Sequence, residues 1–288
     1  MGARLILFGA GASHGSEPTA RTPPLGNTLF DELAAYAPST WGALPSPWPS
    51  EFQTDFEPAM ASFISAGGFG GPLQWDMAEY FLTQFSATAQ SAYVALLKAL
   101  AARLGLYTFA TLNYETLLFQ ARALAAVAAT DLRVCLPHGS ACLCCEGISA
   151  TPGVSYSGGV STGGTVRAFA DVADFRREKA ANVFPPVMSY FEPSKFTVSC
   201  YNWIEGERTR FGELAASASR VFLIGIRVHP VDRHIWEPLA QTPGRITYMS
   251  GVEGAERFQQ WASNQGRTGD RVIAKYFRQG LPDLLALL

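Results

Sequence analysis

A short apolar run that breaks into paired glycines constrains this chain more than any other feature. Arg4 to Phe8 reads as a buried strand, and Gly9-Ala10-Gly11-Ala12-Ser13-His14-Gly15 turns away from its end. Glycines directly after a strand let the backbone turn sharply and bring its N–H groups close to an anion. Gly9, Ala10, Gly11, Ala12 and Ser13 are therefore expected to cradle the diphosphate of a nucleotide. The same glycines would also suit a plain link from strand to helix, because a short glycine motif is weak evidence by itself.

The spacing argues against a hydride-transfer enzyme. The redox fingerprint needs glycines in the G-x-G-x-x-G register, and here His14 stands where the third glycine belongs, with Gly15 one residue late. An acidic residue should also follow at the end of a second strand to hold the ribose. Asp31 and Glu32 lie at that distance, but inside Asn27 to Tyr36, whose apolar spacing is helical.

Composition narrows the class further. With 288 residues, 48% of them hydrophobic, the chain can bury the core of one α/β domain with an inserted lobe. Lys and Arg total 22 against 24 Asp and Glu, for a net charge of −2, and no basic block stands out, so direct nucleic-acid binding is not expected. No secretory signal is visible and the longest apolar runs are too short for a bilayer, which predicts a cytoplasmic protein without a membrane anchor. Cysteines fall at 135, 142, 144, 145 and 200. Cys142-x-x-Cys145 could be half of a zinc site, but no second pair sits at metal spacing, so reduced thiols and no metal are expected.

The chain alternates between strand and helix patterns. Pro38 to Pro58 reads as an irregular cover outside the core, Gly67 to Pro72 as a break, and Asp76 to Phe85 and Gln90 to Leu104 as helices. Strands are predicted at Leu106 to Leu112 and Leu132 to Leu136, with a helix over Tyr114 to Ala129 between them. Further strands are read at Arg220 to Ile226, Arg245 to Ser250 and Arg271 to Ala274, and helices at Asn202 to Ser217, Val231 to Ala240, Glu253 to Asn264 and Leu281 to Leu288. The expectation is one Rossmann-like, three-layer α/β/α domain over residues 1–288 with a parallel sheet. An inserted irregular or helical lobe covers about 38–105, and a Gly/Ser-rich loop region spans about 146–168. Ligands in such folds sit outside the carboxyl ends of the strands. The glycine loop, Asn113 and His138 all fall on that edge.

Three motifs occur in order on successive strand ends: Gly9-Ala10-Gly11-Ala12-Ser13, Thr111-Leu112-Asn113-Tyr114-Glu115 and Pro137-His138-Gly139-Ser140. With Val221-Phe222-Leu223-Ile224-Gly225, Pro230, Asp232, Pro185-Pro186 and Lys195, they resemble the sirtuin-like family over nearly the whole chain. Within it the chain looks most like the bacterial sirtuin-like NAD hydrolases that act as effectors of antiphage defence. Pro24-Leu25-Gly26 before the first long helix is similar to that branch, and the paired cysteine knuckles of the deacylases are missing. Glu115 departs from the family, which usually has Asp there.

The resemblance implies NAD as substrate and cleavage of its nicotinamide–ribose bond, with Asn113 and His138 as catalytic residues. It also implies contacts to the nucleotide from Gly9 to Ser13, Thr111, Tyr114, Gly225, Ile226, Arg227, Asp232 and Ser250. The residue types suit this chemistry. An amide can orient a ribose hydroxyl or a water without adding charge, and an imidazole can take a proton at neutral pH. Asn113 alone could equally cap a helix, and His138 alone could be a turn residue. His14, His229 and His234 show no triad or metal spacing and are read as surface or pocket-rim residues. A chain with this activity that ends at Leu288 without a sensor is expected to be controlled by self-association or by a separate sensor or activator protein, with Trp41, Trp48 and Phe69 as candidate contacts. An NAD-dependent protein deacylase and a non-catalytic sensor of NAD or ADP-ribose stay open as alternatives.

Overall fold

A computed structural model describes residues 4–18, 21–68, 70–147, 161–182, 184–190, 195–229 and 231–288. Its frame is a six-stranded parallel sheet of β1 (Arg4–Phe8), β2 (Tyr107–Thr111), β3 (Val134–Cys135), β6 (Arg220–Ile224), β7 (Arg245–Ser250) and β8 (Arg271–Ala274). The order is β3-β2-β1-β6-β7-β8. The chain builds one half outward from β1, returns to the centre, and builds the other half outward from β6. The sheet therefore reverses its winding between β1 and β6, where a crevice opens at the carboxyl ends. A separate antiparallel hairpin pairs β4 (Leu143–Glu146) with β5 (Thr165–Ala168).

The central strands are apolar on both faces because both are covered. Ile6 and Phe8 face one core with Phe109, Phe222 and Ile224, while Leu5 and Leu7 face the other with Ala110, Val221 and Leu223. The first core is closed by α2 (Gly26–Tyr36), α3 (Trp48–Thr54), α4 (Phe56–Ser65), α5 (Gly70–Thr83), α6 (Ala92–Leu100), α7 (Leu117–Leu124) and α12 (Phe277–Leu285). The second is closed by α9 (Tyr201–Ser217), α10 (Arg233–Gln241) and α11 (Val252–Asn264). Two further helices, α1 (Ala10–Ser13) and α8 (Val172–Ala181), add Ala12 and Phe175 to the first core. This is the expected Rossmann-like α/β/α architecture.

The stretch over 38–58 is not a loose cover. Trp41 sits in a 3₁₀ turn, Trp41–Ala43, with no exposed surface, and Phe52 and Phe56 are almost fully buried beside it. Rings of Phe30, Trp41, Phe52 and Phe56 pack with centroids 5.1–6.3 Å apart. Phe52, Phe56, Met60 and Phe63 fall at helical spacing, a signal that the prolines and serines between them obscure. The glycine break is also shorter than expected, since Gly70-Gly71-Pro72 opens α5, where the first turn tolerates proline. Helix α7 and strand β3 are shorter than their sequence spans, and Ser91 caps α6 by accepting from the N–H of Tyr93 at 3.2 Å. The central residues of the Gly/Ser-rich loop, and Phe69, lie outside the described residues. Among those described, no helix is long and apolar enough to cross a membrane.

The cysteines also differ from expectation. Cys145 on β4 and Cys200 before α9 form a disulfide, with Cα atoms 5.6 Å apart across 55 residues of sequence, while Cys135, Cys142 and Cys144 are free. The folding of the hairpin against α9 creates this pair, and no local spacing announces it. A cytoplasmic setting would favour reduced thiols, so the bond does not follow from that expectation.

At the centre of the crevice the backbones of two loops touch. Gly225 has φ of 64°, and a Cβ on it would lie 2.0 Å from the Ala12 nitrogen. Gly225→Ala must therefore both strain its own backbone and push the β1 loop from the β6 loop. We expect a loss of about 3 kcal/mol or failure to fold. Urea denaturation checks it, and a midpoint equal to the parent's would show that the two loops can part without cost.

Candidate functional site

The glycine loop is held by the neighbouring strand before any ligand is considered. The N–H of Gly9 donates to Ile224 O at 3.0 Å, that of Gly11 to Gly225 O at 2.9 Å, and that of Ala12 to Gly9 O at 2.9 Å. The glycines are required by this contact: a Cβ on Gly9 or Gly11 would stand 2.8 or 3.0 Å from Gly225 O. Three of the donors expected to face a diphosphate are thus taken by carbonyls. Ala10 is exposed at the start of α1 and is the loop residue that faces outward most.

Ser13 has a different surrounding from the expected phosphate contact. It closes α1, has no exposed surface, and lies at the hub of a buried network. Its hydroxyl donates to Glu115 Oε1 at 2.6 Å, accepts from Asn113 Nδ2 at 2.9 Å and meets the Tyr93 hydroxyl at 2.8 Å. Glu115 also accepts from the N–H of Leu117, and burial pushes its carboxyl above the usual range despite these bonds. The Asn113 amide nitrogen gives its second bond to Gly9 O at 3.1 Å. With both Nδ2 protons committed, Asn113 has only its carbonyl oxygen to offer a ligand. The amide expected to orient a ribose hydroxyl or a water can do so here only by accepting. Asn113 does not cap the next helix by its side chain, since α7 begins at Leu117 behind Thr116.

Thr111 and Tyr114 support this arrangement from within. Thr111 accepts from the N–H of Asn113 through its hydroxyl at 3.1 Å, and the Tyr114 ring packs on Phe81 in the core. Tyr114 O receives the N–H of Ala141 at 2.9 Å and the Ser140 hydroxyl at 3.1 Å, which ties the β2 loop to the loop carrying His138.

His138 follows β3 in a turn that only glycine can complete. Gly139 has φ of 74°, and a Cβ there would lie 2.1 Å from Val187 O. The turn is then held from several sides. His138 O accepts from the N–H of Ser189 at 2.9 Å, Pro137 O from Arg208 Nε at 3.3 Å, and the N–H of Leu136 donates to Glu207 Oε2 at 2.7 Å. Glu207 and Arg208 both belong to α9. The His138 imidazole is buried, with its Nε2 2.8 Å from His234 Nε2. Burial lowers its pKa well below the ordinary value, although the nearby Asp232 carboxylate pulls the other way. It is a neutral imidazole at pH 7.

His234, read from sequence as a surface or pocket-rim residue, is half-buried beside His138. It stands in the first turn of α10, where burial and the positive charge of Arg208 bring it down to about 4. Asp232, at the N-cap of α10, is pushed up by burial, but a hydrogen bond from His229 and the neighbouring positive groups outweigh that and hold it well below the usual carboxylate range. Sequence spacing could not reveal the pair, because His138 and His234 are 96 residues apart. His138, Asp232 and His234 carry donor atoms within 4.8 Å of one another, a set that could hold a metal ion. Yet the buried Lys195 ammonium lies 3.8 Å from Asp232 Oδ1 and 2.8 Å from Glu57 Oε1, so the cluster already contains its cation.

The other expected contacts are spread along the same edge. Gly225 forms the loop contact described above, Ile226 is buried in the second core with its carbonyl bonded by Tyr248, Arg227 is exposed, and Ser250 is half-buried at the end of β7. His14 is exposed, with its Nδ1 2.9 Å from Pro23 O. Lys195, already part of the family resemblance, joins Glu57 and Arg208 in the site's charge, and the latter two could not be read from any local motif.

The donor role of Asn113 generates a test. Asn113→Asp keeps the shape but sets a carboxylate against Gly9 O and beside the Glu115 cluster. We expect a loss of about 2–4 kcal/mol at pH 7. A buried acid with a raised pKa binds more protons folded than unfolded, so its contribution falls as pH rises towards that raised value. Relative to the parent, denaturant melts should show a larger deficit at pH 8 than at pH 5. A deficit independent of pH would mean that the new carboxyl is not buried against those acceptors.

No family model matches the chain, and no curated protein matches it. Among solved structures it is similar to the NAD complex of a Sir2 homologue, at 14% identity and a TM-score of 0.53 over 99% of this chain and 89% of that one. It is also similar to an ADP-ribose complex of a mutant Sir2 homologue, at 15% identity and a TM-score of 0.46 over 99% and 92%. The likeness to the first is one of fold: the chain shares the doubly wound α/β architecture of a Sir2 homologue.

Proposed function

We propose that the chain hydrolyses NAD at its nicotinamide–ribose bond, releasing nicotinamide and ADP-ribose. One juxtaposition carries this reading. On neighbouring parallel strands, Asn113 presents only an acceptor and His138 a neutral imidazole, and their loops are bonded to each other through Tyr114 and Ser140. The first structural neighbour is an NAD complex, which supports NAD as the ligand of this fold.

The chemistry asks little of the protein beyond orientation and one base. The pyridinium leaves as neutral nicotinamide when the C–N bond breaks, so no acid is needed at the departing group. Asn113 Oδ1 accepts from a ribose hydroxyl or the attacking water and fixes its direction. His138 takes the proton that the water loses, and its lowered pKa ensures that it is unprotonated at neutral pH, at some cost in basicity. The outward-facing Ala10 end of the glycine loop, with Arg227, Gly225 and Ser250 on the same edge, would receive the rest of the dinucleotide.

The cysteines favour hydrolysis over deacylation. A zinc-bearing deacylase module after His138 would need Cys142-x-x-Cys145 as thiolates, and Cys145 is bonded to Cys200 instead. Unregulated NAD hydrolysis would damage the host, which is why we read the chain as a regulated effector of antiphage defence. It would work in the cytoplasm as a homo-oligomer or with a separate sensor or activator protein.

His138→Ala and Asn113→Ala should each lower nicotinamide release by on the order of 10²-fold or more. Chromatography of NAD incubated with folded protein, with and without candidate activators, measures it. Either variant cleaving at the parent rate would remove that residue from the mechanism. Binding of NAD by the parent without release of nicotinamide under any condition would favour a sensor. In cells, toxicity on expression should disappear with His138→Ala, and persistent toxicity would sever the effector reading from the hydrolase.

A further inference from the structure

His138 and His234 meet through the same kind of nitrogen, and two neutral imidazoles can share that contact only as donor and acceptor, with either ring as the donor. One Nε2 must carry the proton and the other must accept it. The distance of 2.8 Å makes this a good hydrogen bond. Asp232 faces both rings, with ligand atoms of all three side chains within 4.8 Å. No hydrogen bond reaches His138 Nδ1 from the described residues.

We propose that His234 and Asp232 are positioning residues for His138. His234 Nε2 accepts the Nε2–H of His138, which leaves the lone pair of His138 on Nδ1, and Asp232 faces the positive charge that appears when Nδ1 takes a proton. The proposal rests on the hydrolase reading and adds to it which nitrogen works and what holds it. Only the tautomer protonated on Nε2 can act as a base through Nδ1. His234 selects that tautomer by having its own proton on Nδ1. The logic is that of any base whose second nitrogen is held by an orienting acceptor.

The attacking water gives one proton to His138 Nδ1 while an oxygen electron pair forms the bond to the anomeric carbon. The pair of the C–N bond leaves with nicotinamide. His138 is then an imidazolium donating Nε2–H to His234, and it later releases the Nδ1 proton to solvent. The sum is NAD and water giving ADP-ribose, nicotinamide and a proton. Besides Asp232, the charged groups around the imidazole pair are Lys195, before α9, and Arg208 on α9; Glu57 on α4 and His229 lie one contact further out. Asp232 is the carboxylate that favours the imidazolium directly.

Three variants of the full chain test this: His234→Ala, His234→Gln and Asp232→Asn. Nitrogen-15 spectra of the histidine rings, which need no substrate, should show His138 protonated on Nε2 in the parent and in His234→Gln, whose side-chain oxygen can accept. The Nδ1–H form should grow in His234→Ala. In nicotinamide release, His234→Ala should lower kcat by on the order of 10²-fold with KM for NAD little changed, and His234→Gln should recover most of it. Asp232→Asn removes the group that raises the pKa of His138, so the acid limb of the kcat profile should move to lower pH and the plateau should fall.

A parent His138 protonated on Nδ1, equal activity in His234→Ala and the parent, or an unmoved acid limb in Asp232→Asn would each overturn the proposal. Folding is checked by thermal melts of each variant. Should the parent release no nicotinamide at all, the hydrolase reading fails, and the spectra still decide whether His234 sets the tautomer.

Discussion

The backbone contact between the β1 and β6 loops is the constraint on which the site depends. Gly9 and Gly11 on one side and Gly225 on the other pack without side chains between them, and two hydrogen bonds fasten the crossing. The two halves of the sheet are thereby locked at the point where their winding reverses. Everything functional is then positioned relative to that junction. Asn113 is bonded to Gly9 O, and Ser13, just beyond the glycines, anchors the Asn113 amide.

Two buried polar networks divide the work around this junction. One joins Ser13, Asn113, Glu115 and Tyr93, and its effect is to use up every donor of Asn113 so that a single acceptor faces outward. The other joins His138, His234, Asp232, Lys195 and Glu57, and its effect is to hold an uncharged imidazole among balanced charges. Their centres at Ser13, Asn113, His138 and Lys195 are buried, where low polarity makes a satisfied hydrogen bond stiff and an unsatisfied one costly. Rigidity of this kind is what a reaction needs when orientation supplies much of its rate. Helix α9 links the second network to the strands, since Glu207 and Arg208 grip Leu136 and Pro137 on either side of the turn into His138.

Much of the frame was legible because it is written in local patterns. Leu5 to Phe8 and Val221 to Ile224 are short unbroken apolar runs ended by glycine, the pattern of a strand buried on both faces. The strand ends at Asn113 and His138 followed from the same pattern, and so did their place on one edge. The inserted lobe was harder. Trp41, Phe52 and Phe56 form core, yet they lie among prolines and serines that hide the helical period, and their burial depends on Phe30 and other residues distant in sequence. Ser13 was legible as part of the glycine loop but not as the anchor of Asn113, because that role requires a residue 100 positions away.

The sequence by itself determined the alternation of strand and helix, the glycines at the turns, and the chemical types at the strand ends. These are consequences of side-chain size, polarity and period, which act between near neighbours. Tertiary structure alone decided that Asn113 can only accept, that His138 faces His234, that Lys195 is buried between Glu57 and Asp232, and that Cys145 bonds to Cys200. Each of these depends on distances between segments tens to more than a hundred residues apart, and those distances are set by how the sheet winds and which helices cover it.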